Sequence, residues 1–191
     1  MKVIGIAGAI GCGKTTLASV INKLGYEIFD ADKEVANIYK NEDFLHQLKS
    51  IFPRVFNGCG VDKKLLRRIV FSNQKELLKL EYIIEPFLQQ LFINKIEDSK
   101  QKDGILFIDA VLLFEKGWNR FCEKVICVTV DAETQKQRVM CRDNITEEEF
   151  YKIYHLQMAN DLKCQMADIV IDTNCSLKEL EQKAKELVRV L

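Results

Sequence analysis

A glycine-rich turn near the start of the chain restricts the fold more than any other part of the sequence. Residues 8–15 (GAIGCGKT) follow the apolar segment Lys2–Ala7 and lead into Lys14–Leu24, where apolar residues recur with the period of an amphipathic helix. The turn fits the pattern G-x-x-x-x-G-K-S/T, which marks a phosphate-binding loop when a buried strand precedes it and a helix follows it. The segment therefore predicts a βα unit with such a loop at its turn.

Four further segments are rich in Val, Ile and Phe and are predicted strands: Tyr26–Phe29, Gly104–Ala110, Lys124–Val130 and Asp168–Asp172. Nearly continuous apolar runs are typical of strands buried on both faces of a parallel sheet. Helical patterns lie between the strands, at Lys14–Leu24, Asp32–Lys40, Asp62–Asp98, Ala132–Arg142, Thr146–Gln165 and Ser176–Val190. The alternation predicts an α/β fold, a three-layer α/β/α sandwich with a five-stranded parallel sheet and right-handed crossovers.

The connection between the second and third predicted strands is too long for one crossover helix. We expect about 41–101 to form a helical insertion within a single domain of residues 1–191, and we expect Pro86 to break or kink it. A second special segment, about 138–165, is predicted to be a mobile lid because it begins with two arginines on one helix face.

Composition narrows the class of protein. Lys plus Arg (28) balances Asp plus Glu (28), which argues against a dedicated nucleic-acid binder. No apolar run approaches the roughly 20 residues that span a bilayer. The 7 cysteines form neither a Cys-x-x-Cys pair nor a zinc-ligand pattern, which favours free thiols in a reducing compartment. We therefore expect a cytoplasmic protein with no nucleic-acid or membrane partner.

The residue types in the loop suit ATP with Mg²⁺. Glycines adopt backbone angles that other residues avoid, so successive N–H groups can turn inward around phosphate oxygens. The helix N-terminus adds partial positive charge, Lys14 supplies a point charge to the β- and γ-phosphates, and the Thr15 hydroxyl is placed to bind Mg²⁺. The predicted ATP-binding residues are Gly8, Ala9, Ile10, Gly11, Cys12, Gly13, Lys14, Thr15, Thr16 and, after the fifth strand, Asn174.

Three classes of protein with this loop compete: small-molecule kinases, GTPase switches, and motor or transport ATPases. A GTPase needs Asp-x-x-Gly after its third strand, and the sequence contains no such motif. The segment 94–97 (NKIE) is close to a second GTPase motif but lies in a helical pattern rather than at a strand end. Large ATPases need a longer chain, so a compact kinase is favoured.

Two aspartates at strand ends are candidates for the chemistry. In a parallel sheet, ligands bind outside the carboxyl ends of the strands. Asp32, just after the second strand, could orient an acceptor hydroxyl and take its proton, or it could simply cap the next helix. Asp109, which ends the third strand, is either a carboxylate that helps to hold Mg²⁺ through water or a solvated strand-end residue.

Arg138 and Arg142 are spaced i,i+4 and so share one helix face. One interpretation is a pair of lid arginines that close over the phosphates. The other is a pair of surface ion pairs with Glu147 or Asp143.

Five segments, in order, make the chain similar to the dephospho-coenzyme A kinase family. They are IGIAGAIGCGKTTLA, FDADKEV with Asp30 and Asp32, DAVLLFE (Asp109–Glu115), TQKQRVMCRD with the two arginines, and LQMANDLKCQMADIVIDTN with Gln157, Lys163 and Ala167-Asp168. The likeness covers essentially the whole chain. The loop alone is common to many functions, whereas the ordered set is specific.

The resemblance implies a reaction: ATP phosphorylates the 3′-hydroxyl of the ribose of dephospho-coenzyme A, giving coenzyme A and ADP. It implies that Asp32 is the catalytic base and that Lys14, Arg138 and Arg142 serve the transfer. The candidate acceptor contacts are Lys63, Arg67, Leu113 and Lys163.

Three positions depart from the family pattern. Val111 stands where the family usually has Pro, Glu85-Pro86 stands for a His-Pro pair, and Lys63 follows Asp62 where an Arg is common. The last two lie where the acceptor is expected, and either Arg67 or Arg68 is a hypothesis for compensation. The rival functions are another small-metabolite kinase, which would lack the DAVLLFE and Q-x5-K-x3-AD patterns, and a nucleotide sensor without turnover.

Overall fold

The structure is a computed structural model that describes residues 1–58, 60–100 and 104–191. In chain order the elements are β1 (Lys2–Ala7), α1 (Lys14–Lys23), β2 (Glu27–Asp30), α2 (Ala31–Ile38), α3 (Glu42–Ile51), β3 (Phe56–Asn57), β4 (Gly60–Val61), α4 (Lys63–Ser72), α5 (Gln74–Lys100), β5 (Ile105–Asp109), β6 (Lys124–Thr129), α6 (Ala132–Asp143), α7 (Glu147–Tyr154), α8 (Asn160–Met166), β7 (Ile169–Asp172) and α9 (Leu177–Val190), with short 3₁₀ turns at Pro53–Val55 and Trp118–Phe121.

The chain divides into two compact units. We call Met1–Asp30 together with Ser99–Leu191 the sheet unit, and Ala31–Asp98 the helical unit.

The sheet unit contains the predicted five-stranded sheet. Its strand order is β2-β5-β1-β6-β7, and every neighbouring pair is parallel. β1 is therefore the central strand, and its carboxyl end, where the glycine-rich turn begins, lies at the middle of one sheet edge. The fold prediction is confirmed, and the predicted strands agree with the observed ones to within one or two residues at each end.

Helices cover both faces of this sheet because its strands are apolar on both sides. On one face, Ile4, Ile6 and Val128 pack in a single buried cluster with Leu17 and Ile21 of α1, and Leu180, Ala184 and Leu187 of α9 belong to the same cluster. On the other face, a Cβ on Gly5 would lie 2.9 Å from the Leu113 side chain, so the segment after β5 packs directly on the central strand.

The pattern at 146–165 predicted one helix, and the structure has two. α7 begins with a capping box between Thr146 and Glu149 and ends at Tyr154, and α8 begins at Asn160. Between them the Met158 N–H donates to the Glu115 carboxylate at 2.9 Å. A backbone group that bonds to a side chain elsewhere in the chain cannot continue the helical ladder, which explains the break.

The helical unit departs from the prediction in two places. The long pattern at 62–98 divides at Asn73 into α4 and α5, since the Asn73 side chain accepts a hydrogen bond from the Lys75 N–H at 2.9 Å. Pro86, in contrast, lies inside α5, so the helix does not break there, and the alternative of a kink stays a prediction. A proline removes one helical hydrogen bond, at a cost of about 3 kcal/mol, and burial of Ile83, Leu88 and Phe92 along the same helix offsets it.

The predicted helix at 32–40 is confirmed as α2, whereas residues 41–61 showed too little pattern for a prediction of individual elements. Asn41 caps α3 by accepting from the Phe44 N–H, and the two-residue strands β3 and β4 pair antiparallel. Within the described residues, no helix is long and apolar enough to cross a membrane.

Candidate active site

The turn after β1 requires glycine at two positions for both conformation and space. Gly11 and Gly13 have φ angles of 81° and 84°, a region that other L-residues rarely adopt. A Cβ at Gly11 would lie 2.5 Å from the Val139 side chain, and one at Gly13 would lie 3.0 Å from Thr173 Oγ1. Gly13 is also the N-cap residue of α1, so the turn leads directly into the N-terminus of this helix.

Four side chains from the second half of the chain bond to the backbone of this loop. We call them the polar cradle. Asn160 Oδ1 accepts from Ala9 N (2.8 Å), Gln157 Oε1 accepts from Ile10 N (3.0 Å), Gln135 Nε2 donates to Ile10 O (2.7 Å) and Thr173 Oγ1 donates to Cys12 O (2.8 Å). The cradle satisfies the outward-facing polar groups of the loop, which holds the loop in one shape.

Lys14 and Asp109 form a buried ion pair beside the loop. Lys14 is the first residue of α1, Asp109 is the last residue of β5, and their side chains are 6% and 3% exposed. Nζ of Lys14 donates to the Asp109 carboxylate. Asp109 is thus not solvated, which removes one of the two interpretations of this residue. The pair places a cation and a carboxylate together at the carboxyl edge of the central strands.

The two candidate lid arginines have different surroundings. Arg138 donates to Oγ1 and to the carbonyl oxygen of Thr173, at 3.1 and 3.0 Å, and Thr173 in turn holds the loop. Arg142 is 59% exposed and forms an ion pair with Asp143 at 2.7 Å, as the second interpretation of this residue expected. Glu147 pairs with Lys136.

Two candidate acceptor contacts lie in the interior of the sheet unit. Leu113 is fully buried, and Lys163 is fully buried as well. Lys163 Nζ donates to Val111 O at 2.8 Å and pairs with Glu115 at 2.9 Å. In this conformation Lys163 ties α8 to the segment after β5 and offers no surface to a ligand. Asn174, by contrast, is exposed and directly follows the cradle residue Thr173.

The helical unit has a cavity of about 400 Å³ that brings the other predicted residues together. Its walls combine basic and apolar side chains with one carboxylate, from Asp32, Val35, Ala36, Tyr39, Lys63, Lys64, Leu66, Arg67, Val70, Phe71, Leu77, Leu80 and Ile84. Such a cavity suits a ligand with an anionic part and an apolar part. Arg68 is not among its lining residues, so of the two arginines proposed to compensate for Lys63 only Arg67 is in place.

Within this cavity, Asp32 is exposed and lies in the first turn of α2, which begins one residue earlier at Ala31. It therefore does not occupy the cap position that the alternative interpretation assigned to it. Lys63 Nζ lies 4.6 Å from the centre of the Tyr39 ring, a cation–π contact that holds the lysine at the cavity wall. Burial raises the pKa of Tyr39, against the opposing charge of Arg67, so the phenol stays neutral at physiological pH.

Burial also determines the protonation state of Cys12, the cysteine of the loop. It raises the pKa of Cys12 from 9.0 to about 11, and that of Cys122 to about 12. Cys12 is therefore a neutral thiol near pH 7 and adds no negative charge where phosphate is expected.

Sequence reasoning missed Gln135 and Asn160. Each lies on a short helix in which a polar residue suggests a solvent-facing position, yet both are buried and bonded to the loop. No local pattern distinguishes them from ordinary surface residues.

Comparison with known proteins gives one result over the whole chain. A family model described as dephospho-CoA kinase matches residues 2–179. A dephospho-CoA kinase of Fusobacterium nucleatum is 34% identical over 195 residues, covering 100% of this chain and 99% of that protein. A crystal structure of a Thermus thermophilus protein has a TM-score of 0.86 at 32% identity and covers 100% of this chain and 97% of its own.

A shikimate kinase of Acinetobacter baumannii is similar in fold alone, with a TM-score of 0.59 at 18% identity over 100% of this chain and 94% of its own.

Proposed function

The chain belongs to the dephospho-CoA kinase family, and we propose that it transfers the γ-phosphate of ATP to the ribose 3′-hydroxyl of dephospho-coenzyme A, the last step of coenzyme A synthesis. The observation that carries this proposal is the glycine-shaped loop at the end of the central strand, with Lys14 and Asp109 beside it, in a chain that matches the family almost end to end.

The loop holds the triphosphate of ATP. The N–H groups of Gly11 and Gly13–Thr16, the α1 N-terminus and the Lys14 ammonium can present positive charge to the phosphate oxygens, whereas the Cys12 N–H donates to Ala9 O at 3.2 Å. Because the polar cradle bonds the outward-facing groups, these amides are positioned before the ligand arrives. The remaining members of the ATP site are Gly8, Ala9 and Ile10 in the loop, and Asn174 toward the base.

The donors present fit Mg²⁺ that arrives with ATP. Magnesium prefers oxygen ligands and usually takes only one or two from the protein, the rest being phosphate and water. Thr15 has an exposed hydroxyl at the helix start, and Asp109 provides a carboxylate at the next strand end, so these two residues would hold it. Across the described parts of the chain, no group of three or more His, Cys, Asp or Glu residues forms a metal site of its own. When bound, the ion neutralises charge on the β- and γ-phosphates.

The cavity of the helical unit binds the acceptor. Dephospho-coenzyme A carries a diphosphate and a long, mostly neutral pantetheine arm. Lys63 and Arg67 can pair with the diphosphate, and the apolar wall can take the arm. Asp32 lines the same cavity, where it directs the 3′-hydroxyl and accepts its proton. The helical unit is the acceptor-binding insertion in this proposal.

The arginines of α6 close over the transferring group. Arg138 is already fixed next to the loop by Thr173. Arg142 is held only by an exposed ion pair, and such pairs contribute about 0–1 kcal/mol, so its release toward phosphate costs little. Closure of the lid at about 138–165 would exclude water and so protect ATP from hydrolysis. Leu113 and Lys163 would contact the acceptor only if their present packing opens.

A coupled assay of ADP release tests the assignment. Purified protein, ATP and Mg²⁺ are combined in turn with dephospho-coenzyme A, adenosine, 4′-phosphopantetheine and shikimate. We expect turnover only with dephospho-coenzyme A and a product phosphorylated at the ribose 3′-oxygen, identified by ³¹P NMR. Turnover with another acceptor, or ATP binding with no transfer at all, would replace this proposal with one of its rivals.

A further inference from the structure

Asn160 makes two buried hydrogen bonds that no local need of its own helix explains. It is 8% exposed at the start of α8. Its Oδ1 accepts from Ala9 N at 2.8 Å, and its Nδ2 donates to Val128 O at 3.2 Å. One carboxamide thus joins the phosphate loop to the neighbouring strand β6. Asparagine near a helix start commonly caps that helix, but here the cap position is Ala159, which makes no side-chain cap bond.

A second carboxamide acts on the next peptide of the loop. Gln157 Oε1 accepts from Ile10 N at 3.0 Å. Two successive loop N–H groups therefore donate to side chains outside the loop, one in the turn between α7 and α8 and one at the start of α8. Ala9 O also accepts from Cys12 N at 3.2 Å, so fixing these two peptide planes leaves the N–H groups of Gly11 and of Gly13–Thr16 for the phosphates. Both acceptors are neutral, so they order the loop without placing negative charge beside a triphosphate.

We propose that Asn160 is a positioning residue for the triphosphate, which fixes the first half of the loop in its binding shape and connects it to the lid segment. This inference rests on the proposed function, in which the loop binds ATP. It goes beyond that function because Asn160 touches no expected ligand atom and acts only through Ala9. A loop that must first be ordered binds its ligand more weakly, since part of the binding free energy is used to order it.

The inference predicts which ligands are affected. ATP and ADP both place a β-phosphate in the loop, whereas adenosine does not. Loss of the Asn160 bonds should therefore weaken ATP and ADP alike and leave adenosine and the acceptor unchanged. If Asn160 served packing alone, its loss would lower the melting temperature and would not separate ATP and ADP from adenosine. Asn160 also lies near the sulfurs of Cys127 (4.0 Å) and Cys164 (3.8 Å), so a packing role is a real alternative.

The test compares Asn160→Ala with Asp161→Ala, a control at the next, exposed position of the same helix turn. Affinities for ATP, ADP and adenosine are measured by calorimetry at a temperature where circular dichroism shows both variants folded. We expect Kd and KM for ATP, and Kd for ADP, to rise about ten-fold in Asn160→Ala, the effect of losing one to two hydrogen bonds. The kcat at saturating ATP and the KM for dephospho-coenzyme A should stay within about two-fold of the unmodified protein. The lost order in the loop weakens binding of ATP in the ground state and in the transition state equally, which raises KM and not kcat.

Gln157→Ala provides a second measurement, because Gln157 is only half-buried and its loss disturbs packing less. We expect a smaller loss of affinity for ATP and ADP. In the double variant, Kd should rise by less than the product of the two single-variant increases, because both side chains act on one loop segment. The inference is wrong if folded Asn160→Ala and Gln157→Ala bind ATP and ADP as the unmodified protein does. It is also wrong if the affinity for adenosine falls as much as the affinity for ATP. If Lys14→Ala leaves ATP affinity unchanged, the loop assignment itself fails, and the inference fails with it.

Discussion

The phosphate loop and the acceptor cavity are built from different parts of the polypeptide. The loop uses main-chain amides, shaped by glycines at positive φ and held from outside by the polar cradle. The cavity uses long side chains on helices, such as Lys63 and Arg67, which are exposed and have several rotatable bonds. A site made of main chain has one shape, whereas a site made of long side chains can adapt.

This difference indicates where change is tolerated. In the loop, one added methyl group at Gly11 would meet Val139 at 2.5 Å. In the cavity, Lys63 and Arg67 both line the same space, so a change at one basic position leaves the other in place. We therefore expect added side-chain bulk at Gly11 to abolish transfer, and changes of the basic cavity residues to alter acceptor affinity.

Lys14→Ala should have the largest effect. Turnover should fall by about 10²–10³ or more, the usual loss when a preorganised charge on the transition state is removed. Stability should fall as well, by about 3–5 kcal/mol, because the variant removes the cation that pairs with the buried Asp109 carboxylate. Steady-state kinetics and urea unfolding measure the two effects. Adding Asp109→Asn should recover part of the stability but none of the turnover. Near-normal turnover in Lys14→Ala would contradict a catalytic loop.

Asp32→Asn should lower kcat by about 10²–10⁴, the range for loss of a general base. ATP affinity and melting temperature should not change, because Asp32 is exposed and is not the helix cap. Glu34→Gln is the matched control, an acid in the same first turn of α2. A variant that loses stability while keeping turnover would show that Asp32 serves the helix instead.

Lys63→Ala and Arg67→Ala should each raise the KM for dephospho-coenzyme A about ten-fold, corresponding to one lost charge-assisted contact. The KM for ATP should stay constant, which separates the cavity from the loop. Lys75→Ala removes the same charge from an exposed position that does not line the cavity. An equal rise in all three variants would indicate a general effect of charge rather than a binding site.

Cys12→Ala should have the smallest effect, a change in how the stability of the protein depends on pH. The pKa of Cys12 is raised to about 11 in the folded protein, so above pH 9 the unfolded chain loses its thiol proton first. Stability is therefore lost as the pH rises from about 9 to 11, by roughly 1 kcal/mol at pH 10. Urea unfolding at pH 8 and pH 10 should show this extra loss in the unmodified protein and not in Cys12→Ala. Equal losses in both proteins would mean that the thiol ionises freely.

The same difference between main chain and side chains explains what the sequence could predict. The sheet and the loop were predictable, because buried parallel strands need apolar runs and the loop needs glycines at fixed spacing. The cradle was not predictable: Gln135 and Asn160 are distant in sequence from Ala9 and Ile10, and many other polar residues could make these bonds. Of the cavity residues, Asp32 was suggested by its position after the second strand, whereas Lys63 and Arg67 could be suggested only by family resemblance.

The predicted ends of two helices were wrong for a related reason. The break between α7 and α8 depends on a bond from Met158 to Glu115, which no local pattern encodes. The continuity of α5 through Pro86 depends on the burial of residues on either side of it. In both cases contacts between distant residues outweighed the local preference.

The buried pairing of Lys14 with Asp109 has a consequence for selectivity among anions. The ammonium has a counter-ion of its own, so any incoming anion must compete with a carboxylate that is already desolvated. We therefore expect a monovalent anion to gain little at this ammonium, and a polyphosphate that brings several charges at once to gain more.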